Sequence, residues 1–150
     1  MTVLIYVDTS VYNRPFDDQT QPRIWLETLA FSVILQMIEN NLASLIHSAV
    51  VDYENSRNPD QMRRAWVRKV TAQATDYQRV DTDIRQRASI LEKGGLKPLD
   101  ALHVACGEAA RADYFITCDD RLITRYQGLP QQTRNLTVCN PTEFVRMTGG

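Results

Sequence analysis

The sequence predicts an α/β fold, a three-layer sandwich with a central, mostly parallel five-stranded sheet flanked by helices, in a single domain over residues 1–150. Three observations predict it. Short β-branched runs alternate with helix-period segments from one end of the chain to the other. The first run, Val3-Leu4-Ile5-Tyr6-Val7, is continuously apolar, as a strand covered on both faces must be. Helix-start residues, Ser48, Asp81, Pro98 and Asn140-Pro141, stand where the pattern switches from strand to helix.

The first strand ends in Asp8-Thr9-Ser10. Ligand crevices of open α/β sheets lie at the carboxyl ends of the strands, so Asp8 is either a site acid or the cap of the next turn. Residues 13–18 read as an irregular loop in which Arg14 contacts a phosphate or neutralises Asp17 and Asp18. From Pro22 to about Asn40 runs the longest helix. Its apolar residues, among them Leu26, Leu29, Phe31, Ile34 and Ile38, cover over half the circumference, so a second surface covers it beside the core. That surface is either a second copy, in a homodimer, or another part of the same chain.

Residues 42–46 form the second strand, and Ser48 caps the helix that follows. Asp52 and Glu54 fall on different faces of that helix, so at most one of them points into a shared site. Past Asn58-Pro59-Asp60, a helix through Arg63, Arg64, Arg68 and Lys69 presents a basic face, either solvated or a track for a nucleic-acid backbone. Residues 74–80 are a third strand, and Asp81 caps a helix that ends at Gly94. Pro98, with φ preset and no N–H to satisfy, opens the next helix. Leu99, Leu102, Cys106, Ala109 and Ala110 give it a buried stripe, and Asp100 lies in its first turn, where free N–H groups favour a carboxylate by roughly 0.3–1 kcal/mol. Residues 112–117 form a fourth strand that runs into Cys118-Asp119-Asp120. A short helix with Leu122, Ile123 and Tyr126, a strand over 136–139 and a terminal helix from Pro141 complete the chain.

The formal net charge of −1 argues against binding duplex nucleic acid by bulk charge. Cys106, Cys118 and Cys139 are an odd number without C-x-x-C spacing, and the histidines are only His47 and His103, which excludes a disulfide framework and a Cys/His zinc site. The chain start has no basic leader, and no apolar run approaches the ~18 residues of a membrane span. A cytoplasmic setting is the expectation, with no membrane partner.

Asp8, Glu54, Asp100 and Asp119 then stand out, because the sheet topology brings the strand-end acids close and the helical ones can lean in. Four carboxylates ~5–6 Å apart repel by roughly 3 kcal/mol per pair at an effective dielectric of 20. A divalent cation offsets this, and an all-oxygen acidic set suits Mg²⁺ or Mn²⁺. Such an ion activates water for phosphodiester hydrolysis, with Arg14, Arg57 and Arg121 as candidate phosphate contacts.

The residues Asp8-Thr9-Ser10, Glu54, Lys97-Pro98-Leu99-Asp100-Ala101-Leu102-His103 and Phe115-Ile116-Thr117-Cys118-Asp119 resemble, in order and spacing, the motifs of PIN-domain proteins. The resemblance implies a Mg²⁺- or Mn²⁺-dependent endoribonuclease, commonly dimeric, and in many bacterial members the toxin of a toxin–antitoxin pair. It implies Asp8, Glu54, Asp100 and Asp119 as metal-binding catalytic acids and Thr117 as the hydroxyl that orients them, a role Ser10 shares, with Asp120 an extra ligand. Asp52 competes with Glu54 for the second acid, and Asp120 with Asp119 for the fourth.

Other classes fit less well. A phosphoryl-accepting receiver needs an Asp at the end of the third strand and a Lys after the fifth, a haloacid-dehalogenase-type phosphatase needs Asp-x-Asp where Ser10 stands, and glycine-rich nucleotide loops are absent. The alternative to an enzyme is a catalytically silent RNA- or protein-binding module of the same fold.

Overall fold

The strands Val3–Val7 (β1), Ala43–Ser48 (β2), Asp76–Gln78 (β3), Tyr114–Ile116 (β4) and Thr137–Cys139 (β5) pair in parallel in the order β3-β2-β1-β4-β5. This computed structural model describes residues 2–130 and 136–149. Among them the helices are Thr9–Asn13 (α1), Pro22–Glu39 (α2), Ala49–Ser56 (α3), Gln61–Thr71 (α4), Thr82–Lys93 (α5), Pro98–Ala109 (α6), Asp120–Gln127 (α7) and Pro141–Thr148 (α8). The α/β sandwich expected from the alternating pattern is the one observed, and every strand pair is parallel.

The local signals act as sequence chemistry requires. Ser48 Oγ accepts from Val51 N–H at 3.1 Å, Asp81 accepts from Ile84 N–H, and Asn140 accepts from Thr142 N–H, each satisfying one orphan donor of a first turn. Pro98 is the first residue of α6, and Gly95 before it has φ 112°, which only glycine adopts without strain. β1 is the spine: Ile5, Tyr6 and Val7 are essentially inaccessible, and the Tyr6 ring stacks on Phe115 of β4 with centroids 5.2 Å apart.

Four local expectations need correction. Residues 13–18 are not an irregular loop: α1 runs to Asn13 and a 3₁₀ turn spans Arg14–Phe16, because Pro15 presets a helical φ while lacking the N–H that would continue an α-helix. The third strand shrinks from 74–80 to Asp76–Gln78, the residues that pair with Ile46–Ser48 of β2, and the fourth shrinks from 112–117 to Tyr114–Ile116. The second strand runs on to Ser48, in register with Gln78. Part of the apolar excess of α2 is covered by the chain itself, through α8, while Trp25, Leu26 and Leu29 stay about half exposed.

Candidate metal centre

Strand order places the centre. The chain leaves β1 toward β2 and β3 on one side and reaches β4 and β5 on the other, so the reversal of order falls between β1 and β4, where open α/β sheets hold ligands. Val7 pairs with Ile116, and the Asp8 N–H donates to the Ile116 carbonyl at 2.9 Å. Asp8 and Thr117 therefore emerge side by side from adjacent strands.

The buried Asp8 side chain makes no capping bond to α1. Its Oδ2 accepts from Thr117 Oγ1 at 2.7 Å and from Ser10 Oγ at 2.9 Å. Both hydroxyls are fixed in turn, Thr117 Oγ1 by the Asp119 N–H and Ser10 Oγ by the Cys118 N–H, each at 3.1 Å. Two donors on Oδ2 leave Oδ1 turned toward His103 Nε2, 3.7 Å away.

Glu54 comes from α3 and accepts from Thr9 Oγ1 at 2.9 Å and from His103 Nε2. Burial raises its carboxyl, but the hydrogen bond and charge of His103, with help from Thr9, outweigh burial and hold it below its ordinary value. Asp52, two residues earlier, points elsewhere: it is exposed and binds His47 Nε2 at 2.8 Å and the Tyr77 hydroxyl at 3.0 Å. Of the two competing acids, Glu54 faces the centre.

Asp100 arrives on the first turn of α6, partly buried. Its carboxyl is pushed up to about 6, first by burial, then by the charges of Asp8 and Asp119 and, more weakly, Glu54, with His103 opposing. The four acids singled out in the sequence thus act on one another electrostatically. Asp119 caps α7, accepting through Oδ1 from Arg121 N–H at 2.9 Å and Leu122 N–H at 3.3 Å. Asp120 turns outward into a two-pronged ion pair with Arg23, both contacts at 2.6 Å.

Of the candidate phosphate contacts, Arg14 is engaged by buried Glu27 and by Asp17, each at 3.0 Å. Arg121 is exposed at the start of α7. Arg57 lies 5.6 Å over the Tyr53 ring, beside Glu54.

The residue that sequence reasoning missed is His103. It was visible as the i+3 neighbour of Asp100, one turn along the same helix face, but as one of two scattered histidines it carried no zinc-type spacing. It is 1% exposed, with Nδ1 2.6 Å from the Tyr6 hydroxyl, which is 2.7 Å from Ser48 Oγ. Burial lowers the imidazole pKa, and the Glu54 bond with the Asp8, Glu54 and Asp100 charges overcomes this and raises it. A carboxylate oxygen of Asp8, one of Glu54 and a ring nitrogen of His103 all lie within 4.8 Å of one another. The donor set fits a hard divalent cation: carboxylate oxygens dominate, one Asp8 oxygen is undonated, and Asp100 is penalised for its charge until a cation offsets it.

A parallel five-stranded α/β sandwich with acids gathered at its strand-order reversal defines the class. The PIN domain family model matches residues 5–128, and the chain belongs to that family. Among solved structures, the chain is similar to one described as VapBC2 from Rickettsia felis bound to a DNA fragment from their promoter, with a TM-score of 0.57 and 13% identity over 92% of this chain and 98% of that one. It is also similar to PAE2754 from Pyrobaculum aerophilum, with a TM-score of 0.54 and 18% identity over 99% and 91% of the two chains. No curated protein matches it. Among the described residues no helix is long and apolar enough to cross a membrane.

Proposed function

We propose that this protein is a divalent-metal-dependent endoribonuclease that hydrolyses RNA phosphodiester bonds at the acidic centre, with Asp8, Glu54, Asp100 and Asp119 holding Mg²⁺ or Mn²⁺. The observation that carries the reading is that Asp8 of the β1 end and Glu54 of α3 come together beside His103, with Asp100 of α6 close enough to feel the charges of Asp8, Asp119 and Glu54. Membership of a family whose proteins are typically nucleases supports it. When bound, the cation supplies a water acidic enough to attack near neutral pH and a counter-charge for the phosphate oxygens. Ser10 and Thr117 hold Asp8 with Oδ1 open to the pocket. Thr9 and His103 both donate to Glu54 Oε1, so neither acid has to reorganise when a charged substrate arrives.

The fold shared with the VapBC2 structure supports a further part of the proposal, that the protein is the toxin of a toxin–antitoxin pair, and the exposed Trp25, Leu26 and Leu29 of α2 support its acting as a homodimer. The deciding experiment incubates the protein with total RNA and Mn²⁺ or Mg²⁺ and maps the ends. The expected result is cleavage leaving 5′-phosphate and 3′-hydroxyl ends, lost with chelator and with Asp8→Asn. Cleavage that persists in Asp8→Asn refutes the assignment.

A further inference from the structure

A cleft of about 520 Å³ opens beside the acidic centre, and its wall includes Thr9, Asn13, Tyr53, Glu54, Arg57 and Leu99. Thr9 and Glu54 are the hydrogen-bonded pair at the edge of the centre, so whatever occupies the cleft lies next to the reacting group. The cleft size is that of a small-ligand pocket.

Tyr53 is the notable wall. It directly precedes Glu54 on α3 and is 50% exposed, with the Arg57 guanidinium one turn later lying 5.6 Å from its ring centroid. The same ring borders a second recess of about 310 Å³, whose lining includes Val50, Val80, Leu102 and Arg85. Tyr53, with Leu99, thus lines two recesses, each with an arginine in its wall. Several other arginines have their charge engaged: Arg14 by Glu27, Arg23 by Asp120, Arg63 by Asp17 and Arg87 by Glu108. Among the described residues, neither the Arg57 nor the Arg85 guanidinium meets a carboxylate.

An aromatic face backed by an unengaged guanidinium, adjoining a centre for phosphodiesters, matches one chemistry. We infer that Tyr53 and Arg57 form a shelf for an unpaired nucleobase of single-stranded RNA flanking the scissile bond: the base stacks on the Tyr53 ring, and its phosphate meets Arg57. The inference rests on the ribonuclease reading. Stacking on a side chain requires a base out of its duplex stack, so the shelf selects single strands, and because every base has a π-face it selects position more than sequence.

The test measures binding separately from chemistry. Fluorescence anisotropy follows a labelled single-stranded oligoribonucleotide, with Mg²⁺ present, on the Asp8→Asn protein, alongside an otherwise identical strand made abasic at successive positions. One abasic position is expected to weaken binding by about 5- to 100-fold. Tyr53→Leu removes that preference and Tyr53→Phe keeps it. Arg57→Gln weakens both strands alike and lowers the salt dependence by about one phosphate contact.

Equal binding of intact RNA by the Tyr53→Leu and Tyr53 proteins overturns the shelf. So does failure of the protein to bind any single strand, and so does a Tyr53→Leu loss confined to a protein partner. Cleavage by the unsubstituted protein is scored independently. Base-dependent binding without metal-dependent cleavage sinks the nuclease reading and leaves the shelf, while cleavage with Tyr53→Leu indifferent in both binding and cut positions sinks the shelf alone.

Discussion

Asp100→Asn is expected to stabilise the metal-free protein, because it removes a like charge from a cluster of acids. The Asp100 carboxyl is raised from 3.8 to about 6 by burial and by Asp8 and Asp119. Two pH units at 1.36 kcal/mol each are about 3 kcal/mol, and solvent screening of this half-exposed group reduces that to roughly 1–2 kcal/mol. The folded value lies above the unfolded one, so the charge is a cost that is full above about pH 6, fades as pH falls from there toward 3.8, and is absent below. Asparagine removes the charge. In chelator at pH 8 the variant should melt about 2–8 °C above the parent, by the ~2–4 °C per kcal/mol expected for a chain of this length. The gap should close as pH drops to 4. Added Mn²⁺ should reverse the order, raising the parent and leaving the variant nearly unmoved. Differential scanning calorimetry across pH, with and without Mn²⁺, reads all three effects. A variant that melts below the parent without metal, by the same margin at every pH, would show that the acids do not repel and that no cation is needed among them.

Tyr6→Phe removes a hydroxyl bridging Ser48 Oγ and His103 Nδ1 in a fully buried place, so urea unfolding followed by circular dichroism should show a loss of roughly 1–3 kcal/mol; an unchanged midpoint would show that the bridge contributes nothing. Gly107 lies on α6 where a Cβ would already stand 3.3 Å from the Phe115 ring and 3.6 Å from Tyr6, so Gly107→Val should cost about 1–3 kcal/mol by overpacking, and a melting temperature equal to the parent's would contradict that packing. The proposed homodimer, placed on the exposed Trp25, Leu26 and Leu29 of α2, is checked by sedimentation velocity at micromolar concentration. The parent should sediment at twice the chain mass and Leu29→Glu at the chain mass, and a monomeric parent refutes the placement.

The parts of the fold legible in the sequence are those set by local chemistry. Continuous apolar runs mark β1, a proline with two preceding glycines marks the start of α6, and Ser48, Asp81 and Asn140 cap the helices they precede. What was not legible depends on pairing between distant residues. Helical spacing shows that Asp52 and Glu54 cannot share a face, but only tertiary structure reveals that Asp52 is drawn to His47 and Tyr77 and so leaves Glu54 for the pocket. Arg14 is three residues from Asp17 in sequence, yet its second partner is Glu27 on the next helix, buried at 1% exposure, and nothing local announces that contact. The same holds for Asp120, identical in kind to Asp119 and one residue away, which Arg23 holds on the surface.

The direction of its hydrogen bonds decides what His103 does. An ionised carboxylate only accepts, so Nε2 keeps its proton toward Glu54 in either charge state of the ring, and a protonated nitrogen has no lone pair for a metal. In the neutral ring Nδ1 then accepts from the Tyr6 hydroxyl, Tyr6 accepts from Ser48, and Ser48 accepts from the Val51 N–H, so every donor in the chain finds an acceptor. Val51 and Glu54 belong to the same helix, α3, and the bonds therefore form a closed circuit that leaves α3 at its first turn, passes through the central strand and α6, and returns at its one site acid. A rotation of α3 that displaced Glu54 would have to break its bond to His103 and leave the Nε2–H of that buried ring without its acceptor, which is costly. The geometry of the acidic pocket is thus fixed from behind by a residue that lends it a donor, and a cation held there would be left to the oxygens.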